Sequence, residues 1–298
     1  MSTTGQSYIT EMIEEKDNVK RVAVITGADG GMGTEITREV AATGMPVIMV
    51  CYNKEHGEAV RNTIVEKTGN KDIEVMQADF SSMKSVATLA ATIKAKGVRV
   101  ARLMNNAGTL ETHFSQTEDG IEHTVSVNYM APYLFTRLLL PIMERGTRIV
   151  NMVSCTYAVG KLDFPDFFTH GRKGGFWRIP IYSNTKLALL LFTLSLAKRI
   201  EGTGITVNAA DPGVVSTPII AMHMWFDPLT DIFFRPFIRT PRQGADTAIR
   251  LLLDDENEGK NGTFNLSGHT KQLSKKYLPH RQAEELWDET EKRLKAFL

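Results

Sequence analysis

A chain of 298 residues, 42% of them hydrophobic and with a formal net charge of +1, is long enough to bury a large core as one α/β domain. Its charge balance gives no electrostatic reason to bind nucleic acid, its two cysteines make no disulfide framework, and its seven scattered histidines show no metal-ligand spacing. Residues 1–20 form a polar, acidic leader without an apolar signal core, and the longest apolar run, 187–197, is too short to span a bilayer. The expectation is a soluble, cytoplasmic protein with no transmembrane segment and no metal; a homo-oligomer is left open.

Residues 21–26 are nearly continuous in apolar β-formers and read as a buried parallel strand. The strand runs into Gly27-Ala28-Asp29-Gly30-Gly31-Met32-Gly33 and then a helical stretch to about residue 42. Strand, glycine turn and helix in that order mark a dinucleotide site: glycines allow the tight turn and close backbone approach, and the helix N-terminus faces a pyrophosphate. The loop fits two spacings. Gly27, Gly30 and Gly33 match TGxxGxxG, whereas Gly27, Gly31 and Gly33 match TGxxxGxG.

A second strand, 47–51, ends in Cys51-Tyr52-Asn53-Lys54. An acidic residue here would bind the adenine-ribose hydroxyls of NAD, and a basic one the extra phosphate of NADP. With no carboxylate among these four and Lys54 nearby, NADP is favoured over NAD. Tyr52 either stacks on an adenine or simply leads into the next helix, 54–67. After a strand at 73–77, Asp79 in Ala78-Asp79-Phe80 either binds an adenine edge or caps the helix that follows. A strand at 102–104 ends in Asn105-Asn106-Ala107-Gly108, an ordinary turn or a slim, hydrogen-bonding wall beside a cofactor.

Residues 120–143 read as one long helix. Asn128 in its middle is a mediocre helix former, either a bland exposed residue or one whose carbonyl holds a water. The next strand, 147–154, places Ser154 at a carboxyl end, where sites form in open α/β sheets. Its connection to the next helix, 155–181, is long, aromatic and glycine-rich, as functional loops are. That helix, 180–200, carries Tyr182 and Lys186 four residues apart on one face, where an ammonium can favour the phenolate and tune the phenol for proton transfer near neutral pH. A strand at 205–210 leads into Asp211-Pro212-Gly213-Val214-Val215-Ser216-Thr217. The apolar stripe after it, 218–237, is either core or a lid over an apolar substrate. A helix at 241–253, a strand at 263–266 and an amphipathic C-terminal helix, 281–297, complete the chain. Seven strands alternating with helices imply a Rossmann-type, doubly wound parallel sheet in a single domain, 21–298, with a lid at about 214–240.

Together, Thr26-Gly27-x-x-x-Gly31-x-Gly33, Asn105-Asn106-Ala107-Gly108, Asn128, Ser154, Tyr182-x-x-x-Lys186 and Pro212-Gly213 resemble the short-chain dehydrogenase/reductase family over about 21–267. The order of the motifs favours the TGxxxGxG reading of the loop. The 155–181 interval with Gly160-Lys161-Leu162-Asp163-Phe164, the run Thr240-Pro241-Arg242-Gln243-Gly244-Ala245 and Leu286-Trp287 are similar to the retinol-dehydrogenase-like branch. That branch usually has Cys-Arg where this chain has Cys51-Tyr52.

The resemblance implies an NAD(P)-dependent oxidoreductase acting on a lipophilic ketone, aldehyde or secondary alcohol. Tyr182 would be the general acid/base, Lys186 would lower its pKa and hold the nicotinamide ribose, Ser154 would orient the substrate oxygen, and Asn128 would anchor a water. Cofactor contacts would come from Gly27, Asp29, Gly31, Met32 and Gly33, from Tyr52, Asn53 and Lys54, and from Asp79 and Phe80. Asn106, Ala107, Gly108, Tyr182, Lys186, Pro212, Gly213, Val215 and Thr217 would supply the rest. Two other readings are a dinucleotide-binding sensor without turnover and a sugar-nucleotide-modifying enzyme. The first has no need of Ser154, Tyr182 and Lys186 together, and the second calls for cations where this chain has its apolar stripe.

Overall fold

The computed structural model describes residues 19–170, 178–215, 239–277 and 280–298; most of the polar leader and residues 216–238 of the expected lid lie outside them. In β1 (Arg21–Thr26) the side chains alternate between two cores, Val22 and Val24 packing into one, Ala23 and Ile25 into the other. β2 (Val47–Cys51) divides in the same way, with Ile48 and Val50 opposite Val47, Met49 and Cys51. A strand covered on both faces needs apolar residues throughout, so it reads as a run rather than an alternation.

The remaining strands are β3 (Ile73–Gln77), β4 (Arg99–Asn105), β5 (Met143–Met152), β6 (Thr206–Asp211), β7 (Phe264–Leu266) and β8 (His269–Lys271). Among the described residues they form one eight-stranded sheet in the order β3-β2-β1-β4-β5-β6-β7-β8. Between strands lie α1 (Gly31–Ala42), α2 (Lys54–Thr68), α3 (Met83–Ala95), a composite helix α4 within 123–139, the short α5 (Asp166–Thr169), α6 (Arg178–Arg199) and α7 (Pro241–Leu253). Side chains of α1, α2 and α7 fill one core, and those of α3, α4 and α6 the other. The strand order reverses between β1 and β4, and the crevice at their carboxyl ends is where ligands bind in such sheets.

Two expectations are corrected. All seven expected strands are present, but β8 makes the sheet mixed rather than wholly parallel, pairing antiparallel with β7. Ser267 and Gly268, at φ 55° and 74°, make the tight hairpin between them. β8 is three exposed residues long and has no apolar signal. The helix expected over 120–143 is also interrupted. α4 begins as His123–Val125, widens into a π-helical turn at Ser126–Met130, and resumes as Ala131–Leu139. A single tight turn containing Pro141 ends it, and β5 starts at Met143, four residues earlier than expected.

By length and composition α6 could cross a membrane, but 78% of its apolar window is buried inside the protein. An all-round apolar helix is what the centre of a two-faced core requires. The expected C-terminal helix, α8 (Ala283–Leu294), closes that core. Trp287 stacks on Phe192 at 6.0 Å, meets Tyr133 edge-on at 5.2 Å, and carries the Arg199 guanidinium 3.9 Å above its ring. Beside it, Tyr129 shares a 2.7 Å hydrogen bond with Thr290, and Arg137 pairs with Glu291. Replacing Trp287 by alanine removes the aromatic contact that ties α8 to α4 and α6. We expect a loss of about 3 kcal/mol in urea denaturation; a change below about 0.5 kcal/mol would mean that α8 is held by other contacts.

Candidate active site

The glycine loop is built for close backbone approach. Gly27 has φ +59°, and a Cβ there would lie 3.0 Å from the Ala107 Cα. A Cβ on Gly33 would lie 1.9 Å from the Gly27 carbonyl oxygen, so no side chain fits. At Gly30 and Gly31 the nearest atoms to an added Cβ are 3.4 Å away, so packing alone does not select one glycine spacing. Asn106 and Thr26 clamp the loop to the end of β4. The Asn106 and Ala107 N–H groups both donate to Thr26 Oγ1 at 3.0 Å, and Asn106 Nδ2 donates to the Thr26 and Gly27 carbonyls at 3.1 Å. The Asn106 side-chain N–H groups therefore hold the loop.

Gly27, Asp29, Cys51, Tyr52, Asp79, Phe80, Ala107 and Gly108 line one cleft of about 420 Å³, walled further by Thr109, Glu111, His123 and Val127. Phe80 is buried against Phe135, ring edge to face at 5.8 Å. Asp79 Oδ1 accepts from the Ser81 N–H at 2.8 Å, while Ser82 caps α3, so Asp79 shapes the turn as it lines the cleft. Asn53 and Lys54 follow Tyr52 just outside the lining residues. Asn53 Oδ1 accepts from the His56 N–H at 2.9 Å as the cap of α2, and Lys54 is the exposed first residue of that helix. Met32 belongs to the packing against α7, where a Cβ on Gly244 would lie 3.1 Å from its sulfur. Past β6, Gly213 has φ +72°, Arg239 donates to the Pro212 carbonyl at 3.2 Å, and buried Val215 bridges to Arg239. Thr217 lies outside the described residues. A glycine cradle at the start of α1, opening into a cleft that crosses the ends of β1, β2 and β4, fits a nicotinamide dinucleotide.

Beside Gly108, where the cleft meets α6, the carboxyl end of β5 and the first turns of α6 bring Ser154, Tyr182 and Lys186 together. The Lys186 ammonium is 4% exposed, donates to the Met152 carbonyl at 2.9 Å, and sits 5.3 Å from the centre of the Tyr182 ring. Ser154 Oγ accepts from the Thr156 N–H at 3.4 Å and the Thr156 hydroxyl at 3.2 Å, leaving its own proton free to donate. Gly160 lets the turn after Ser154 lie against α6, since a Cβ there would meet the Ser183 carbonyl oxygen at 2.5 Å. Asn184 fixes the same contact by accepting from the Lys161 N–H at 2.7 Å.

Asn128 sits in the π-helical turn and is buried, not exposed. Its amide bonds both backbone groups of Thr109, accepting from the N–H at 2.7 Å and donating to the carbonyl at 2.8 Å. A Cβ on Gly108 would lie 3.3 Å from Asn128 Oδ1 and 3.8 Å from Lys186 Nζ, so α4, α6 and the β4 exit converge there. A π-turn inside a helix often accompanies such a site.

Burial governs both titrating groups. It pushes the Tyr182 phenol up to about 12; a hydrogen bond from Ser154 pulls it down, and Asp211 and Cys155 add to the rise. It pushes the Lys186 ammonium down to about 8, with the Asp211 carboxylate pulling back up. The expectation that Lys186 brings Tyr182 toward neutrality is therefore not met in the chain by itself. The ammonium lies over the ring and directs a proton at Met152.

Asp211 is the residue that sequence reasoning passed over. It is 1% exposed, its Oδ1 accepts from the Gly213 N–H at 2.9 Å, and its Oδ2 is buried without a hydrogen-bond partner. Burial raises its pKa, while Gly213, Arg239 and Lys186 lower it. The available signal was a carboxylate ending a wholly buried strand just before Pro-Gly.

Fold and site define a Rossmann-type oxidoreductase. The family model described as short chain dehydrogenase matches residues 21–167 and 169–223, and the chain belongs to that family, whose members act on CH–OH and C=O groups. It is similar to retinol dehydrogenase 12 of Homo sapiens, 34% identical over 271 residues that cover 90% of this chain and 84% of the relative. A solved structure of a protein from Mycobacterium paratuberculosis superposes with a TM-score of 0.73 at 27% identity, covering 93% of this chain and 94% of that one. A short chain dehydrogenase from Burkholderia cenocepacia, solved in complex with NADP, has a TM-score of 0.66 at 24% identity, covering 83% and 96%.

A buried lysine with a lowered pKa has a measurable signature. Between about pH 8 and pH 10.5 the unfolded chain keeps a proton that folded Lys186 has lost, so its contribution to stability rises with pH across that window. Relative to Lys186→Met, the wild type should gain about 3 kcal/mol over the window in urea denaturation at stepped pH. A difference independent of pH would contradict the lowered pKa.

Proposed function

We propose that this chain is a nicotinamide-dinucleotide-dependent oxidoreductase that reduces lipophilic ketones or aldehydes of steroid, retinoid or keto-lipid type, with Tyr182 as the proton donor. The observation that carries the reading is the meeting of Ser154, Tyr182 and Lys186 beside Gly108, which lines the same cleft as the glycine cradle. When bound, the dinucleotide supplies the hydride chemistry, and the protein's part is position, charge and one proton.

Ser154, with both acceptor positions taken by Thr156, has one proton to donate, to Tyr182 in the chain by itself or to a substrate oxygen in its place. Tyr182, pushed up to about 12, keeps its proton through the neutral range and is poised as an acid. In that form it is the acid for reduction of a carbonyl, and its conjugate base serves the reverse oxidation. Lys186 brings positive charge to the ring as negative charge develops on the phenol oxygen. Asn128 positions the Thr109 strand exit and Gly108 beside that ammonium.

The lipophilic substrate class is supported by the similarity to retinol dehydrogenase 12 and by the apolar sequence 218–237. NAD and NADP both satisfy the hydride chemistry. The sequence argument for NADP rests on Lys54 and on the lack of a carboxylate in β2 itself, and the Burkholderia relative was solved with NADP.

Tyr182→Phe deletes the proton donor and keeps the ring. Turnover of an apolar aldehyde should fall by about 10²–10⁴-fold, with dinucleotide affinity, read by nicotinamide fluorescence, nearly unchanged. Lys186→Ala should lose both. Retained turnover in Tyr182→Phe would refute the assignment of the proton donor.

A further inference from the structure

The adenosine end of the cleft carries a charge that the linear sequence hides. β2 ends in uncharged Cys51 and Tyr52, but the glycine loop packs alongside it. The Ala28 N–H donates to the Val50 carbonyl at 3.3 Å, which brings the next residue, Asp29, against Cys51. Burial, helped by the nearby Asp29 carboxylate, pushes the Cys51 thiol up to about 12. Asp29, Cys51 and Tyr52 line the same cleft as Gly27, and Tyr52 is 72% exposed at its rim.

In this fold, a carboxylate at the end of β2 accepts the adenine-ribose hydroxyls, and a cation there accepts the 2′-phosphate of NADP. Among the described residues no lysine or arginine lines this cleft. Its charged side chains are Asp29, Asp79 and Glu111, with His123 placed 3.2 Å from Glu111. Lys54, the cation on which NADP was expected, is exposed at the start of α2 and outside the lining. A 2′-phosphate would enter beside the Asp29 carboxylate with no lysine or arginine among the lining side chains, and like charges brought together are disfavoured.

Resting on the oxidoreductase reading, we infer that Asp29, reaching across from the glycine loop, takes the role of a β2 carboxylate and makes this chain prefer NAD(H) to NADP(H). The loop residue accepts from the ribose hydroxyls, and Tyr52 offers its ring to the adenine.

The test is an equilibrium titration of NADH and NADPH, by nicotinamide fluorescence, into the wild type, Asp29→Asn and Tyr52→Arg, each checked for folding by circular dichroism. The wild type should bind NADH at least about tenfold more tightly. Asp29→Asn keeps the shape and removes the charge, and should narrow the gap to within about threefold, mainly by strengthening NADPH. Tyr52→Arg should strengthen NADPH by about tenfold, since a guanidinium pairs well with phosphate. Equal or tighter NADPH binding by the wild type, or an unchanged ratio in Asp29→Asn, would overturn the inference while leaving the oxidoreductase reading intact. Failure of the folded wild type to bind either nucleotide would overturn that reading and the inference with it.

Discussion

A buried ammonium hydrogen-bonded to a strand-end carbonyl is the constraint on which the rest of this site depends. Lys186 is 4% exposed, and its contact with the Met152 carbonyl at 2.9 Å ties the first turns of α6 to the end of β5. Taking a cation out of water is costly, and the cost is visible in its lowered pKa. The surroundings offset part of it. Asp211, equally buried at the end of the next strand, pulls the ammonium back toward its charged form and in turn is stabilised as a carboxylate by Lys186 and Arg239. Two strand ends and one helix are thereby held in register by charges that neither strand could bury alone.

That arrangement explains details that look unrelated. Gly160 and Asn184 press the turn after Ser154 onto α6, which keeps the serine hydroxyl within reach of Tyr182. Gly108 leaves space between Asn128 and Lys186, and the π-turn in α4 carries Asn128 to the Thr109 backbone. The outcome is a phenol that keeps its proton near neutrality beside a lysine close to losing one.

The sheet and the candidate site residues are legible in the sequence because each leaves a local trace. Two-faced strands leave apolar runs, the loop leaves glycines at positions where a Cβ would collide, and Tyr182 and Lys186 stand one helical turn apart. Other features are tertiary and leave no such trace. The clamp by Asn106 depends on β1 and β4 being neighbours, 80 residues apart in the chain. The π-turn has no composition of its own, and β8 is too short and polar to register as a strand. The Asp29 charge near the adenosine end leaves no trace in β2 itself, because it reaches there from a loop paired alongside. Asn53 also caps α2, a task that its place after a strand does not single out.

In the proposed reaction a protonated, half-buried Tyr182 next to a marginally charged Lys186 delivers the proton. The pH dependence of kcat/KM for reduction of an apolar aldehyde tests it most directly, since that profile reports the ionisations of the groups that must be correctly protonated. The account predicts a rate that is flat through neutrality and falls above about pH 8, as Lys186 loses its charge. A reduction rate that climbs steadily from neutral into alkaline pH would contradict it, because the required group would then be a base.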